Sequence, residues 1–450
     1  MDNQELKEEG KGGSIPFHED LCVLENGVKT LYEFRDHYFE HHAIGEAVLK
    51  DQRVQEKLQE IIKLFQNFNC SKMRPEGRAR YHYLLGRAHD VLPSHSPEAE
   101  TALAKAVKLD PQLVEAWNQL GETYWKRDNV KEARNCFQGA LNKKKNMVSL
   151  RNLSILVRQE QAATHEERVK NVEEGLELAR QAVEMEASDP ESWMVLGNAY
   201  LATFFSVQQN PRTLKLAMAA YKRAEADALG KNNPDLHYNK AVALKFEEEY
   251  LSALEEFARA CELNPSWDTP ASQQQQLLQY LDSTVDLVQS RGRLKAKKLQ
   301  TFLQSIEPKQ LGPYEGGQYT APNSQSVKLR LQPLSSLQSG VNCELVVLGK
   351  VICSVRNDDY VPFTFCLMDR DKGVCAVTVY NMASGKGVII GDSVAIPEPF
   401  VTQVSFTYNS KKYCFTSIRV DNPLVLVVNC KKVGRDKLAG TQLSTFHMPH

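Results

Sequence analysis

The stretch 117–124, Trp-Asn-Gln-Leu-Gly-Glu-Thr-Tyr, decides the fold, because its pattern returns at 193–200 as Trp-Met-Val-Leu-Gly-Asn-Ala-Tyr. In both copies tryptophan, leucine, glycine and tyrosine keep the same spacing, and residues three or four apart lie on one face of an α-helix. A glycine on that face carries no side chain, so a second helix can approach closely. The pattern therefore predicts a helix that packs against a partner helix, and its return predicts a repeated unit.

This spacing is the first-helix signature of the tetratricopeptide repeat, a helix-turn-helix unit of about 34 residues. Ala133, Phe137 and Ala140 follow the first copy at the spacing that the second helix requires. Weaker units near 83, 150 and 237 bring the total to about five repeats, and 26–68 adds helical hairpins with poor signatures. Such units stack into a superhelix with a concave binding face. We therefore predict an all-α tetratricopeptide repeat superhelix over 18–305 that binds a peptide.

Composition and charge exclude several other classes of protein. The 450 residues carry a formal net charge of −1, so any contact with nucleic acid must come from a local patch. The apolar runs are too short to cross a bilayer, and the polar first residues do not resemble a secretory signal. None of the ten cysteines forms a Cys-x-x-Cys pair, so we expect reduced thiols and no metal site. Without a catalytic motif or a cofactor-binding loop, the chain is predicted not to be an enzyme.

The C-terminal region has the hydrophobic period of strands. Short strands are predicted at 345–348, 361–367, 374–380, 392–396, 413–420 and 424–428, and they suit a small all-β OB-fold barrel over 327–432. A linker rich in Gly, Pro, Gln and Ser is predicted over 306–326, and disordered tails over 1–17 and 433–450. Phe363, Phe365 and Tyr380 either stack nucleic-acid bases or fill the barrel, and strand alternation favours the second interpretation.

The repeat register assigns the side chains that face the groove. In each first helix, positions 4, 7, 8 and 11 pack between helices, which leaves positions 2, 5, 6, 9, 12 and 13 for a ligand. The predicted groove residues are Asn118, Gln119, Glu122, Lys126, Arg151, Asn152, Arg158, Asn198, Asp235, Tyr238, Asn239 and Lys245. Asparagine amides can bond a peptide backbone, Arg158 a carboxylate and Asp235 an arginine or an amine. The alternative is that these side chains lie on solvated helix faces.

One dense basic segment, Arg291-Gly-Arg293-Leu-Lys295-Ala-Lys297-Lys298, follows the predicted last helix. Its five cations can neutralise phosphates of an RNA backbone without sequence preference. The alternative is that positive side chains near the end of a helix complement its dipole and have no further purpose.

Four stretches carry a resemblance to a known family. They are 106–111 (Ala-Val-Lys-Leu-Asp-Pro), 113–122 (Leu-Val-Glu-Ala-Trp-Asn-Gln-Leu-Gly-Glu), 233–237 (Asn-Pro-Asp-Leu-His) and 391–399 (Gly-Asp-Ser-Val-Ala-Ile-Pro-Glu-Pro). With these stretches, the succession of repeats and OB-fold resembles the tetratricopeptide repeat protein 5 family, also called Strap. The resemblance implies an adaptor that binds Met-Arg-Glu-Ile or Met-Arg-Glu-Cys at the N-terminus of nascent α- or β-tubulin on the ribosome. The adaptor then triggers decay of the translated messenger RNA through an effector adaptor.

The resemblance also implies roles for single residues. Arg158 matches the groove arginine that suits the tubulin glutamate, and Asp235 suits the tubulin arginine or its terminal amine. Asp268 stands where the family has a longer glutamate, and Lys295 and Lys297 match lysines that touch RNA of the large ribosomal subunit. The family is also described as a nuclear stress-response cofactor that joins acetyltransferase coactivators. The alternative function is therefore a transcription scaffold with DNA contact through the barrel, and the expected locations are the cytoplasm and the nucleus.

Overall fold

The computed structural model describes residues 17–316, 318–320, 326–357 and 362–439. Their contacts form two compact units. Unit 1 comprises the chain up to residue 203 together with 211–236 and 262–266, and unit 2 comprises 204–210, 237–261 and the chain from 267 onward. The last helices of the repeat region are thus grouped with the strands.

Helices fill the repeat region, as predicted. They are α1 (Phe17–Asp36), α2 (Tyr38–His41), α3 (Lys50–Gln66), α4 (Pro75–His89), α5 (Pro97–Leu109), α6 (Val114–Lys126), α7 (Val130–Lys143), α8 (Met147–Gln159), α9 (His165–Met185), α10 (Pro190–Ser206), α11 (Pro211–Ala224), α12 (Ala228–Lys231), α13 (Pro234–Phe246), α14 (Tyr250–Leu263), α15 (Asp268–Gln289) and α16 (Ala296–Gln304). Short 3-10 turns lie at Ile44–Leu49, Cys70–Lys72, Arg291–Arg293 and Pro308–Tyr314. Within the described parts of the chain, no helix has both the length and the apolar character needed to cross a bilayer.

Local chemistry explains where several of these helices begin. The side chains of Ser96, Asn129, Asn146 and Thr164 each accept a hydrogen bond from a backbone N–H in the first turn of α5, α7, α8 and α9. Such an N-cap satisfies one of the backbone donors that a helix start leaves without a partner. The polar residues between the repeats therefore fix the boundaries that hydrophobic periodicity alone does not define.

The glycines of the repeated motif bring paired helices into contact. A Cβ atom at Gly121 would lie 2.7 Å from the ring of Phe137 on α7, and one at Gly197 would lie 2.5 Å from the ring of Tyr221 on α11. Any larger residue would therefore separate the two helices of its hairpin. The prediction of closely packed hairpins from this motif is confirmed.

The strand-rich part of unit 2 is built as an OB-fold. Its strands are β1 (Gln318–Thr320), β2 (Ser326–Lys328), β3 (Arg330–Leu331), β4 (Gly340–Val341), β5 (Leu345–Val355), β6 (Phe363–Met368), β7 (Val374–Val379), β8 (Ser393–Pro397), β9 (Phe400–Tyr408), β10 (Lys411–Val420), β11 (Val427–Val428) and β12 (Lys431–Lys432). The main sheet has the order β8-β5-β6-β7-β10-β9, and β7 and β10 are parallel. β8 pairs with β5 and β9 pairs with β10, so these consecutive strands, only two residues apart, join the two edges of the sheet and close the barrel.

The segment expected to be a linker is packed where it is described. Leu311 and Tyr314 are buried, and the Tyr314 hydroxyl donates a 2.7 Å hydrogen bond to the backbone oxygen of Val425. The expected C-terminal tail also begins later, since Val433 is buried and Met382 forms a β-bridge with Leu438. The rest of that tail (440–450) and the N-terminal stretch 1–16 lie outside the described residues. The packed barrel domain is therefore wider than the predicted 327–432.

A buried polar cluster holds the last repeat helices to the barrel within unit 2. Glu248 belongs to the short loop between α13 and α14. Its carboxylate accepts hydrogen bonds from Thr378 Oγ1 at 2.7 Å and Tyr380 Oη at 3.1 Å. Arg419 lies 3.7 Å from the same carboxylate oxygen and donates to the backbone oxygen of Phe246 at 2.6 Å. Burial raises the pKa of Glu248, which shows that desolvation outweighs these favourable contacts.

Candidate functional site

The predicted groove asparagines of unit 1 are bonded to neighbouring repeats. Asn118 on α6 accepts a 2.5 Å hydrogen bond from Ser149 Oγ and donates a 2.9 Å bond to Asn146 Oδ1. Asn152 on α8 donates to Glu122 Oε1 at 3.2 Å. Both side chains are nearly buried, so their amides link α6 to α8 and fix the spacing of the two helices. The interpretation as freely solvated helix faces therefore does not apply to these two asparagines.

Next to these amides, Asp90, Gln119, Glu122 and Lys126 form a row of charged and polar side chains. The repeat register does not assign Asp90 to the groove. Gln119 Nε2 donates to Asp90 Oδ2 at 2.7 Å and to Glu122 Oε2 at 3.0 Å, and Lys126 Nζ lies 3.0 Å from Asp90 Oδ1. Burial raises the pKa values of both Asp90 and Glu122, although Lys126 and Arg151 act in the opposite direction. The row thus holds carboxylates in a poorly hydrated environment, where they attract cations strongly.

Arg158 lies near the end of α8 and is only 1% exposed. Its stem runs across α9, because a Cβ atom at Gly175 would lie 2.4 Å from Arg158 Cγ. Nε donates to the backbone oxygen of Ser154 at 3.0 Å, while Nη2 is buried and has no hydrogen-bond partner among the described residues. Burial lowers the pKa of Arg158 to about 10, and the nearby Tyr221 offsets only part of that effect. The guanidinium therefore stays charged at neutral pH with part of its hydrogen-bonding capacity unused.

Asn198 is connected to Arg158 through Tyr221. The hydroxyl of Tyr221 on α11 donates a 2.8 Å hydrogen bond to Asn198 Oδ1, and Tyr221 is also the group that acts on the pKa of Arg158. Because Tyr221 is fully buried, its pKa is strongly raised and it remains a neutral donor. Tyr221 is thus bonded to Asn198 and acts electrostatically on Arg158, a connection that the repeat register alone does not predict.

Asp235 lies in the first turn of α13, whereas Arg158 lies near the end of α8. The backbone N–H of Asp235 donates a 2.9 Å hydrogen bond to Asn233 Oδ1, and this bond caps the start of the helix. Burial raises the pKa of its carboxyl to about 6. Asp235 is thus a half-buried acid, whereas Arg158 is a fully buried cation.

Asn239 and Asp268 are the members of the predicted peptide site that belong to unit 2. Asn239 is fully buried in α13, whereas Asp268 is exposed and is the first residue of α15. A carboxylate in a first helical turn interacts favourably with the helix dipole. That local role is sufficient to explain an acid at position 268.

The basic segment lies between α15 and α16, and all five of its cationic side chains are exposed. Arg291, Gly292 and Arg293 have positive φ angles of 52°, 68° and 55°, and Gly292 packs against β5 because a Cβ atom there would lie 3.1 Å from the Ile352 oxygen. Arg293 donates two hydrogen bonds to Asp286. The segment is thus a tight turn seated on the barrel.

The lysines of this segment occupy the unfavourable end of a helix. Lys295 is the N-cap residue of α16, and Lys297 and Lys298 lie in its first turn. A helix start carries partial positive charge, so cations there are destabilising. The interpretation that these charges complement a helix dipole holds only for Arg291 and Arg293 at the end of α15. For the lysines at the start of α16 this interpretation does not hold.

The three barrel aromatics have different surroundings. Phe365 is fully buried in the barrel core, and Phe363 is half-buried against Gly387. Tyr380 is buried against Phe246 of α13, at 4.8 Å between ring centres, and donates to Glu248. Only Phe365 and Phe363 therefore agree with the interpretation that these aromatics fill the barrel.

Comparisons with known proteins agree with this architecture. A family model described as the tetratricopeptide repeat protein 5 OB fold domain matches residues 328–442, and a tetratricopeptide repeat model matches 114–142. Tetratricopeptide repeat protein 5 of Homo sapiens is 46% identical over 93% of this chain and 95% of its own length. The Mus musculus protein is 46% identical over 91% of this chain and 93% of its own, and the Bos taurus protein 44% over 95% and 97%. The chain therefore belongs to the tetratricopeptide repeat protein 5 family, whose repeats and OB-fold make it a protein-interaction adaptor.

Proposed function

We propose that this chain recognises the N-terminal Met-Arg-Glu-Ile or Met-Arg-Glu-Cys of nascent tubulin at the ribosome and triggers decay of the tubulin messenger RNA. The observation that carries the proposal is Arg158. A buried guanidinium with an unused donor is costly unless a ligand supplies a carboxylate, and bidentate carboxylate binding is the geometry that arginine favours. The site of action is then the cytoplasm, together with translating ribosomes and an effector that removes the messenger RNA.

The positions of Arg158 and Asp235 suit a ligand with neighbouring charges of opposite sign. Arg158 is the last residue but one of α8, and Asp235 is the second residue of α13. They lie toward opposite ends of first helices, which run in the same direction in a stack of repeats. Successive side chains of an extended peptide point to opposite sides. An adjacent arginine and glutamate can therefore reach Asp235 and Arg158 respectively.

Calorimetry of the full chain with synthetic peptides tests the proposal. We expect Met-Arg-Glu-Ile to bind, and Met-Arg-Gln-Ile to bind at least about tenfold more weakly, because the amide leaves Arg158 without a counter-charge. A peptide of the same composition in the order Ile-Glu-Arg-Met is the control for nonspecific attraction. If Met-Arg-Glu-Ile and the reordered peptide give the same heat, the proposed function is wrong.

The pH dependence of binding should report on Asp235. A peptide cation stabilises the ionised carboxylate, whereas burial holds its pKa at about 6 in the free protein. Binding then releases a proton, so affinity falls as the pH decreases through 6 and is unaffected above pH 7. We expect a loss of up to about tenfold between pH 7 and pH 5. In Asp235→Asn the affinity should be lower at pH 7 and nearly constant over this range, and an unchanged pH profile would remove Asp235 from the site.

The ribosome contact is assigned to the exposed lysines at the start of α16. Charge reversal in Lys295→Glu with Lys297→Glu should reduce co-sedimentation with ribosomes that translate tubulin, because it replaces two phosphate contacts by repulsion. Lys143→Glu with Lys145→Glu is a matched control, since these lysines are also exposed and the charge change is the same. Equal sedimentation of the two double variants would contradict a specific role of the basic segment.

The alternative of a nuclear transcription scaffold has less support. It requires DNA or chromatin contact through the barrel, and the aromatics that suit such contact, Phe365 and Tyr380, are buried. Partnership with acetyltransferase coactivators has no distinct counterpart among the features described above. The peptide site and the basic segment both favour the ribosomal role.

A further inference from the structure

A cavity of about 150 Å³ opens beside Asn233 and Pro234 within unit 1, next to Asp235 in the chain. Its floor is formed by the first turns of α10 and α13 with α12, and its opposite wall by residues of the N-terminal helices. Its lining includes Asp36, Lys50, Glu191, Met194, Leu229 and Pro234. Glu191 and Met194 are the second and fifth residues of α10, which are groove positions in the repeat register. The cavity is therefore continuous with the surface assigned to a peptide.

We propose that this cavity receives the first residue of a bound peptide, through an apolar side chain of about the size of methionine and a free α-ammonium group. The inference rests on the proposed function and identifies the part of the site that reads the end of the chain. A cavity of 150 Å³ holds a group of about the size of benzene. Met194 and Leu229 offer flexible apolar contacts for an unbranched side chain.

The charges around the cavity favour a cationic end. Asp36 receives a 2.7 Å hydrogen bond from Arg35 on one oxygen, and Glu191 is paired with Arg151 through one oxygen. Each carboxylate keeps a second oxygen that can accept from an ammonium group.

Lys50 supplies the complementary donor. It lies 5.2 Å from the ring of Phe39, and burial together with Arg35 lowers the pKa of its ammonium group. A backbone carbonyl oxygen of the ligand would satisfy it without bringing in another full charge. The first residue of a peptide, with an ammonium group on one side and a carbonyl on the other, fits this arrangement better than a free carboxylate or an internal residue does.

Four peptides distinguish the inference from the proposed function. The full chain is titrated with Met-Arg-Glu-Ile, its N-acetylated form, Gly-Arg-Glu-Ile and Gly-Met-Arg-Glu-Ile. We expect acetylation and the additional residue each to weaken binding at least about tenfold, because they remove or displace the ammonium group. Replacing methionine by glycine should weaken binding about 10- to 100-fold through the lost apolar contact. If Met-Arg-Glu-Ile binds and the other three bind equally well, the inference is wrong and the proposed function stands.

A variant that fills the cavity provides the second test. Met194→Trp should reduce the affinity for Met-Arg-Glu-Ile to that for Gly-Arg-Glu-Ile, while the affinity for the glycine peptide changes less than about threefold. Met185→Trp, at an exposed methionine at the end of α9, is the matched control and should keep the preference for methionine. An intact preference in Met194→Trp would overturn the assignment of this cavity. Failure of Met-Arg-Glu-Ile to bind the unmodified chain would overturn the proposed function and this inference together.

Discussion

Arg158→Glu should abolish detectable binding of a Met-Arg-Glu-Ile peptide to the full chain. The substitution removes the donor for the peptide glutamate and places a second carboxylate where that glutamate must go. Loss of one partner of a buried charge pair costs roughly 2 to 5 kcal/mol, which corresponds to about 30- to several-thousand-fold in the dissociation constant. Calorimetry measures the loss directly, and a dissociation constant within threefold of the unmodified chain would contradict the role of Arg158.

Arg158→Met is the companion variant that separates binding from folding. Methionine can follow the path of the arginine stem over Gly175 without carrying a charge into the interior. Replacing buried charged groups by apolar residues of similar size is often neutral or stabilising. We expect Arg158→Met to lose peptide binding while its unfolding temperature stays the same or rises. A strongly lowered unfolding temperature would show that Arg158 is a structural residue whose charge is satisfied in a way not seen here.

Arg419→Ala should cause the largest loss of stability in unit 2. The guanidinium stacks over the ring of Tyr380, with Cζ at 4.0 Å from its centre, and its Nη1 lies 3.7 Å from the buried carboxylate of Glu248. Removing one member of a buried pair leaves an uncompensated charge and costs about 3 kcal/mol or more. Denaturant unfolding monitored by a spectroscopic signal of the barrel measures this loss. A change below about 0.5 kcal/mol would mean that the pair lacks structural importance.

A double variant and the pH dependence identify the cause of that loss. Glu248→Gln removes the charge but keeps an oxygen that can accept from Thr378 and Tyr380, so Arg419→Ala should cost less when combined with it. The pKa of Glu248 is already raised by burial and should rise further without Arg419. A carboxyl with a raised pKa in the folded state contributes less stability as the pH increases. The destabilisation by Arg419→Ala should therefore be smaller at pH 5 than at pH 8.

The sequence predicts the helical repeats well because their packing rule is local. Gly121 and Gly197 contact aromatics of the next helix, so a short motif contains most of the relevant information. The strand Phe400–Tyr408 is not predicted, because Pro397 and Pro399 suggest that the sheet ends there. In the structure these prolines lie at a bend, and the chain continues into the next strand of the same sheet. The segment around Tyr314 is read as a linker because a Gly- and Pro-rich composition does not reveal contacts with distant strands such as that to Val425.

The sequence names candidate site residues, but it does not predict how deeply their side chains are buried. The register places Arg158 and Asn198 on first helices, yet their burial depends on Gly175 and Tyr221, which belong to other helices. Asp90 is missed because it follows the helix α4, beyond the positions that the register covers. The cavity beside Pro234 has no sequence signal, because it arises where helices distant in the chain come together.

The lysines at the start of α16 have a consequence for the helix itself. With Lys295, Lys297 and Lys298 at its positive end, α16 is weakened by its own charges while the segment is free. A polyanion would remove that repulsion and fill the role of an N-terminal cap. Binding of phosphate and stability of the helix are then thermodynamically coupled. A polyanion that binds the folded segment more tightly also stabilises the first turn of α16 against fraying.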